Sequence, residues 1–89
     1  MDIRKSIHQI LSDKKVRYTG LHINHIARHI LNMNTSLFPD EELPEFDVLK
    51  IRINRIMLYD IHQSKSPRFT RVFNPKTNTY RKGVYKLKR

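Results

Sequence analysis

The stretch SPRFTRVFNPKTNTYRKGVYKLKR, residues 66–89, holds eight Lys or Arg and no Asp or Glu. A disordered basic tail would have no need of aromatics, yet Phe69, Phe73, Tyr80 and Tyr85 are spread through it. After Ser66-Pro67, the run Phe69–Phe73 reads as a strand. Asn74 to Gly83 carries hairpin-turn chemistry, and Val84–Leu87 reads as the returning strand. The stretch therefore reads as a β-hairpin. Phe69 and Val72 on one strand, with Tyr85 and Leu87 on the other, are expected to pack on the rest of the chain while Arg71, Lys82 and Lys86 stay wet.

A hairpin needs something to pack against, and the preceding sequence supplies helices. Asp47 can cap a helix in which Leu49, Ile53, Ile56, Met57 and Asp60 share one side, reaching about Ile61. The other side of this third helix mixes Ile51, Arg52, Asn54, Arg55 and Tyr59, which is not a clean polar face. Earlier, Ile3, Ile7, Ile10 and Leu11 recur at helical spacing and Ser12-Asp13 is a stop, giving a first helix from about Asp2 to Ser12. Ile23, Ile26, Ala27, Ile30 and Leu31 form a second stripe, with Asn24 as its cap and an end near Asn32. Between these two, Val16-Arg17-Tyr18 reads as a brief strand before Thr19-Gly20. Residues 33–46, with two prolines and Asp40-Glu41-Glu42, read as a long acidic connection carrying at most one helical turn near Leu43.

At 89 residues the chain has room for one domain, residues 1–89. A chain of this size buries roughly 60–65% of its unfolded surface. No cysteine is present, so disulfides and thiolate metal sites are excluded. Apolar runs are far shorter than the roughly 20 residues of a membrane helix, which points to a cytoplasmic protein, nucleoid-associated in a bacterium, with no membrane partner. The net charge of +10 calls for an anionic partner, nucleic acid first.

Helix, short strand, helix, helix and a two-stranded hairpin is the order of an α+β winged helix-turn-helix. The chain also resembles the HARE-type helix-turn-helix, a winged-helix module of restriction enzymes, chromatin-associated proteins and a bacterial polymerase subunit. The resemblance is carried by Leu21-His22-Ile23 with Ile26-Ala27, by Tyr59-Asp60-Ile61, by Pro67 to Val72 and by Gly83 to Leu87, in that order. It implies DNA binding by an accessory module, with chemistry done by a companion catalytic domain or subunit, in a restriction-modification or transcription-regulation setting. Two departures stand out. The family's connection before the third helix is typically shorter and basic or glycine-bearing, whereas Asp40 to Asp47 holds five acids here, and the wing from Asn74 to Gly83 is long.

The recognition helix of such a module enters the major groove. Lys50, Arg52, Asn54 and Arg55 on residues 47–61 are the candidates here, Arg suiting guanine and Asn adenine. The wing, residues 69–87, offers Lys76, Arg81 and Lys82 in its turn to the backbone or minor groove, and Arg68 and Arg71 add phosphate contacts. The partner is thus expected to be double-stranded DNA. Each feature has a plainer account: cations blunt the edge of a hairpin, Arg stems cover apolar neighbours, and acids before the third helix favour its positive end. The acids are otherwise expected to point away from DNA or to meet a protein. A different function class, a protein-interaction or dimerisation module using Ile51, Leu58 and Tyr59 or the acidic loop, remains beside the first, and RNA binding would need an aromatic such as Tyr80 to stack on bases.

No catalytic constellation is visible, so an enzyme is not expected. Ser6, Ser12, Ser36, Ser64 and Ser66 lie in no nucleophile elbow, and Gly20 and Gly83 make no phosphate loop. His25 and His29 have the spacing of paired metal ligands with His22 close by, but Ile26 stands where a zinc protease would carry Glu and no third ligand follows. No metal, cofactor or small-molecule ligand is expected.

Overall fold

The computed structural model describes residues 2–37 and 44–88, with side chains for all of these but 34–37. Among them are three helices and a three-stranded antiparallel sheet, an α+β domain: α1 (Ile3–Leu11), β1 (Leu21–His22), α2 (Ile23–Leu37), α3 (Phe46–Gln63), β2 (Phe69–Asn74) and β3 (Thr79–Leu87). The sheet has the order β1-β3-β2, so a third strand joins the expected two-stranded hairpin.

Asp2 caps α1 by accepting from the Lys5 N–H, at 3.1 Å, and the helix ends at Ser12. Where a strand was expected at Val16–Tyr18, the chain makes turns instead. The Asp13 carbonyl accepts from the N–H groups of Val16 and Arg17, and the Asp13 carboxylate accepts from the Lys15 N–H at 2.8 Å. A short acid bonding to the backbone just ahead of it competes with extension. The extended piece begins only after Gly20, whose φ of +76° reverses the chain. Leu21 then pairs with Tyr85 and His22 with Val84.

α2 starts at Ile23, so Asn24 lies inside it and is not its cap. The Asn24 N–H instead donates to His22 Nδ1 at 3.1 Å, an imidazole serving where a hydroxyl or carboxamide usually does. The helix continues past Asn32 to Leu37, shortening the expected connection; Asp40, Glu41, Glu42 and the turn expected near Leu43 lie outside the described residues. Glu45 is the residue before α3, and Asp47 sits in its first turn.

Ile7 and Leu11 from α1, Ile26, Ala27 and Ile30 from α2, and Leu49, Ile53 and Met57 from α3 meet Phe69 and Tyr85 of the sheet in one core. Burial on this scale is the main stabilising contribution, about 25 cal/mol for each Å² of apolar surface removed from water. Among the described residues Asp60 is the buried charged side chain. Its Oδ2 accepts from the N–H groups of Arg68 and Phe69, at 2.8 and 2.9 Å, and so ties the end of α3 to the start of β2.

In the hairpin, Phe69 pairs with Leu87, Thr70 with Lys86 and Arg71 with Tyr85. Strand alternation puts Phe69, Arg71, Tyr85 and Leu87 on the helix side. Val72, expected beside Phe69, therefore faces the other way, toward the Gly20 turn. The ladder then breaks: Phe73 pairs with Tyr80 and Asn74 with Thr79. From Arg71 to Phe73 is two steps on β2, and from Tyr80 to Tyr85 is five on β3, so β3 carries three extra residues (5 − 2 = 3). The loop is only Pro75–Asn78, with the Asn74 side chain accepting from the Lys76 N–H and Asn78 at a φ of 57°. The long turn expected from Asn74 to Gly83 is thus a short loop followed by strand, and Arg81 and Lys82 belong to the irregular part of β3.

Candidate nucleic-acid interface

The three extra residues decide where the charge goes. In a regular ladder Arg81 and Lys82 would alternate across the sheet. Out of register, both line an open groove of about 1010 Å³ between β3 and α3. Lys50, Asn54 and Arg55 line it from α3, Arg71 from β2, and Ile23 and Asn24 from the start of α2. Lys50, Arg55, Arg71, Arg81 and Lys82 thus come from three elements, and no carboxylate among the described residues lines the groove with them.

Several of these groups are held in place. Tyr85 donates its hydroxyl to Asn54 Oδ1 at 3.0 Å, linking the strand to α3. This leaves both Nδ2 hydrogens of Asn54 and one lone pair on its oxygen for a ligand. Burial pushes the Tyr85 pKa up because a phenolate would be poorly solvated there, and the nearby Arg71 charge offsets part of that rise. The Arg71 guanidinium contacts His62 Nε2 at 3.3 Å and lies over the Tyr80 ring, 6.0 Å from its centre. Lys50 Nζ sits 5.1 Å from the centre of the Phe46 ring and 3.7 Å from Asp47. Asp47, one of the acids expected to point away, is therefore a neighbour of the groove's edge.

Of the nine residues singled out from the sequence, Lys50, Asn54, Arg55, Arg71, Arg81 and Lys82 share this groove. Arg52 does not. Two residues before Asn54, it lies about 160° around the helix, on the exposed flank near Tyr59. Lys76 is in the Pro75–Asn78 loop. Arg68 lines a separate basic hollow with His8, Arg17 and Lys88 at the other end of β3. Sequence reasoning passed over His22 and Tyr85 as parts of the site. His22 capping α2 has no local signature, whereas Tyr85 was readable as core but not as a hydrogen-bond donor to α3.

Among the described residues no three His, Asp or Glu are grouped to hold a metal, and no helix is long and apolar enough to cross a membrane. The chain matches no family model, no curated protein and no solved structure, so what the groove binds must be argued from its own residues.

Proposed function

We propose that this chain is a winged helix-turn-helix module that binds double-stranded DNA, with α3 as the recognition helix and the β2–β3 hairpin as the wing. The observation that carries this is the groove itself: five cations from a helix and a hairpin face one open channel without a lining acid. Such a channel suits a phosphate backbone, since each neutralised phosphate releases condensed counterions. Asn54, steadied by Tyr85, and Arg55 stand on the groove side of α3, where base edges would lie. The HARE-like order of segments favours the same reading and suggests a targeting or specificity role within a larger restriction-type or regulatory assembly.

Ile51 and Tyr59, both more than half exposed on α3, favour a second reading in which the helix docks a protein partner. Salt separates the two. Titrating a labelled duplex of about 20 base pairs should show affinity falling roughly 500-fold between 50 and 200 mM salt if five phosphates are neutralised. Reversing the charges with Arg81→Glu plus Lys82→Glu should abolish most of the binding. Failure of the wild-type chain to bind at low salt would overturn the DNA reading in favour of the protein partner.

A further inference from the structure

One ring of the groove lining, Tyr80, belongs to an aromatic pair that the electrostatic account leaves unused. Phe73 and Tyr80 face each other across the two strands just beyond the break in the ladder, ring centres 5.6 Å apart and planes at 76°. A hairpin tip joined by only two pairs gains from such a contact. That explains why the rings touch, but not why so much of both is left in water: Tyr80 is 58% and Phe73 48% exposed. Tyr80 also lines the groove, where the Arg71 guanidinium lies 6.0 Å from its ring centre and Arg81 and Lys82 follow it in the chain. Exposed rings interleaved with cations are what a nucleic-acid strand with free base faces needs, the cations holding phosphates while the rings take bases.

Inside a duplex every base face is covered by its neighbours. A ring at the margin of the groove can stack only on a base that has left the helix. We infer that the protein prefers duplex DNA carrying an unpaired strand: α3 and the groove cations hold the duplex, and Tyr80, backed by Phe73, stacks on the first unpaired base. This rests on the groove being a DNA site and specifies which DNA structure it takes.

The experiment compares one 16-base-pair duplex closed at both ends by hexaethylene-glycol linkers, which carry no bases, with the same duplex left open at one end and carrying a six-nucleotide single-stranded extension. Both are titrated at one salt concentration against the wild-type chain, Tyr80→Leu, and Arg81→Glu plus Lys82→Glu. Base–aromatic stacking predicts a preference for the extended substrate of roughly 5- to 100-fold. Tyr80→Leu should bring the ratio of the two affinities to about one; any loosening of Arg71 weakens both substrates alike and leaves that ratio as the readout, and retained binding of the closed duplex shows that the variant folds. With 5-iodouracil at the first unpaired position, irradiation should cross-link the extension to Tyr80 or Phe73. Equal affinity for the two substrates, or a preference that survives Tyr80→Leu, would overturn the inference while leaving the groove a duplex site. An equal loss on both substrates would overturn it too, pointing to a ring wedged into paired DNA. No binding to either substrate at low salt would remove the DNA reading itself.

Discussion

One buried carboxylate ties the start of the hairpin to the end of α3. Asp60 is 4% exposed, and its Oδ2 accepts the N–H groups of Arg68 and Phe69. Its burial followed from helical periodicity with Leu49, Ile53 and Met57; its partners lie eight and nine residues away, beyond the reach of any helical pattern. Asp60→Ala should cost about 2–4 kcal/mol, because two backbone donors near the core lose their acceptor. Asp60→Asn, whose amide oxygen can still accept, should cost less, and urea unfolding of the two variants orders them. Tyr85 gives a pH test of the same kind. Its folded pKa is raised above the ordinary value of 10.0, so the stability of the neutral phenol is fully present below pH 10 and is lost as pH rises through the folded value. Tyr85→Phe, lacking the bond to Asn54, should be less stable at pH 8 by about 0.5–1.5 kcal/mol. That gap should narrow above pH 10, where the wild type alone has a phenol at position 85 to ionise, the other three tyrosines being common to both; urea midpoints from pH 8 to 11 would read it.

Local pattern told most about the helices, since an apolar stripe repeating every three to four residues is written in the residues themselves. The ends of α1 fall within one residue of the expected ones, and α3 runs two residues further, to Gln63. The short strand was displaced because β-propensity at Val16-Arg17-Tyr18 competes with the Asp13 turn, and the outcome depends on the pairing of Leu21 and His22 with β3, a partner more than sixty residues away. The irregular ladder was hidden for a like reason: register belongs to two strands together, and neither records it alone. Six of the nine residues singled out were nonetheless brought together: Lys50 and Asn54, four apart, share a helix face with Arg55 beside them, and the hairpin lays Arg71, Arg81 and Lys82 along the same side; Arg52 has the three-residue spacing to Arg55 but lies on the far side of that helix from Lys50 and Asn54. Gly20 shows how strictly the strand's start is set. A Cβ there would come within 2.6 Å of Val72 Cγ2 and 2.8 Å of the Tyr85 carbonyl oxygen, at a φ that side chains rarely adopt. Gly20→Ala should destabilise the domain by roughly 2–4 kcal/mol, the sum of the left-handed backbone cost and the displacement of packed neighbours. Thermal melting would show it, and a melt indistinguishable from wild type would mean that the turn relaxes freely.

The charge of +10 belongs to the chain as a whole, yet the fold sorts it. Arg55 lines the groove and Arg52, three residues earlier, does not. Arg55→Ala should therefore weaken duplex binding and lower the slope of log affinity against log salt by about 1. Arg52→Ala, removing an equal charge, should leave that slope unchanged; equal effects would mean that overall charge, not the groove, governs binding. The separate hollow of Arg17, Arg68 and Lys88 lies off this path and should contribute only to long-range attraction. None of the five groove cations belongs to the core, and the three extra residues of β3 keep Arg81 and Lys82 outside the regular ladder. Mutational drift can therefore add, remove or exchange these side chains without the folding penalty that constrains a buried position. A lineage carrying this domain can change the chemistry of its groove faster than it changes how it folds.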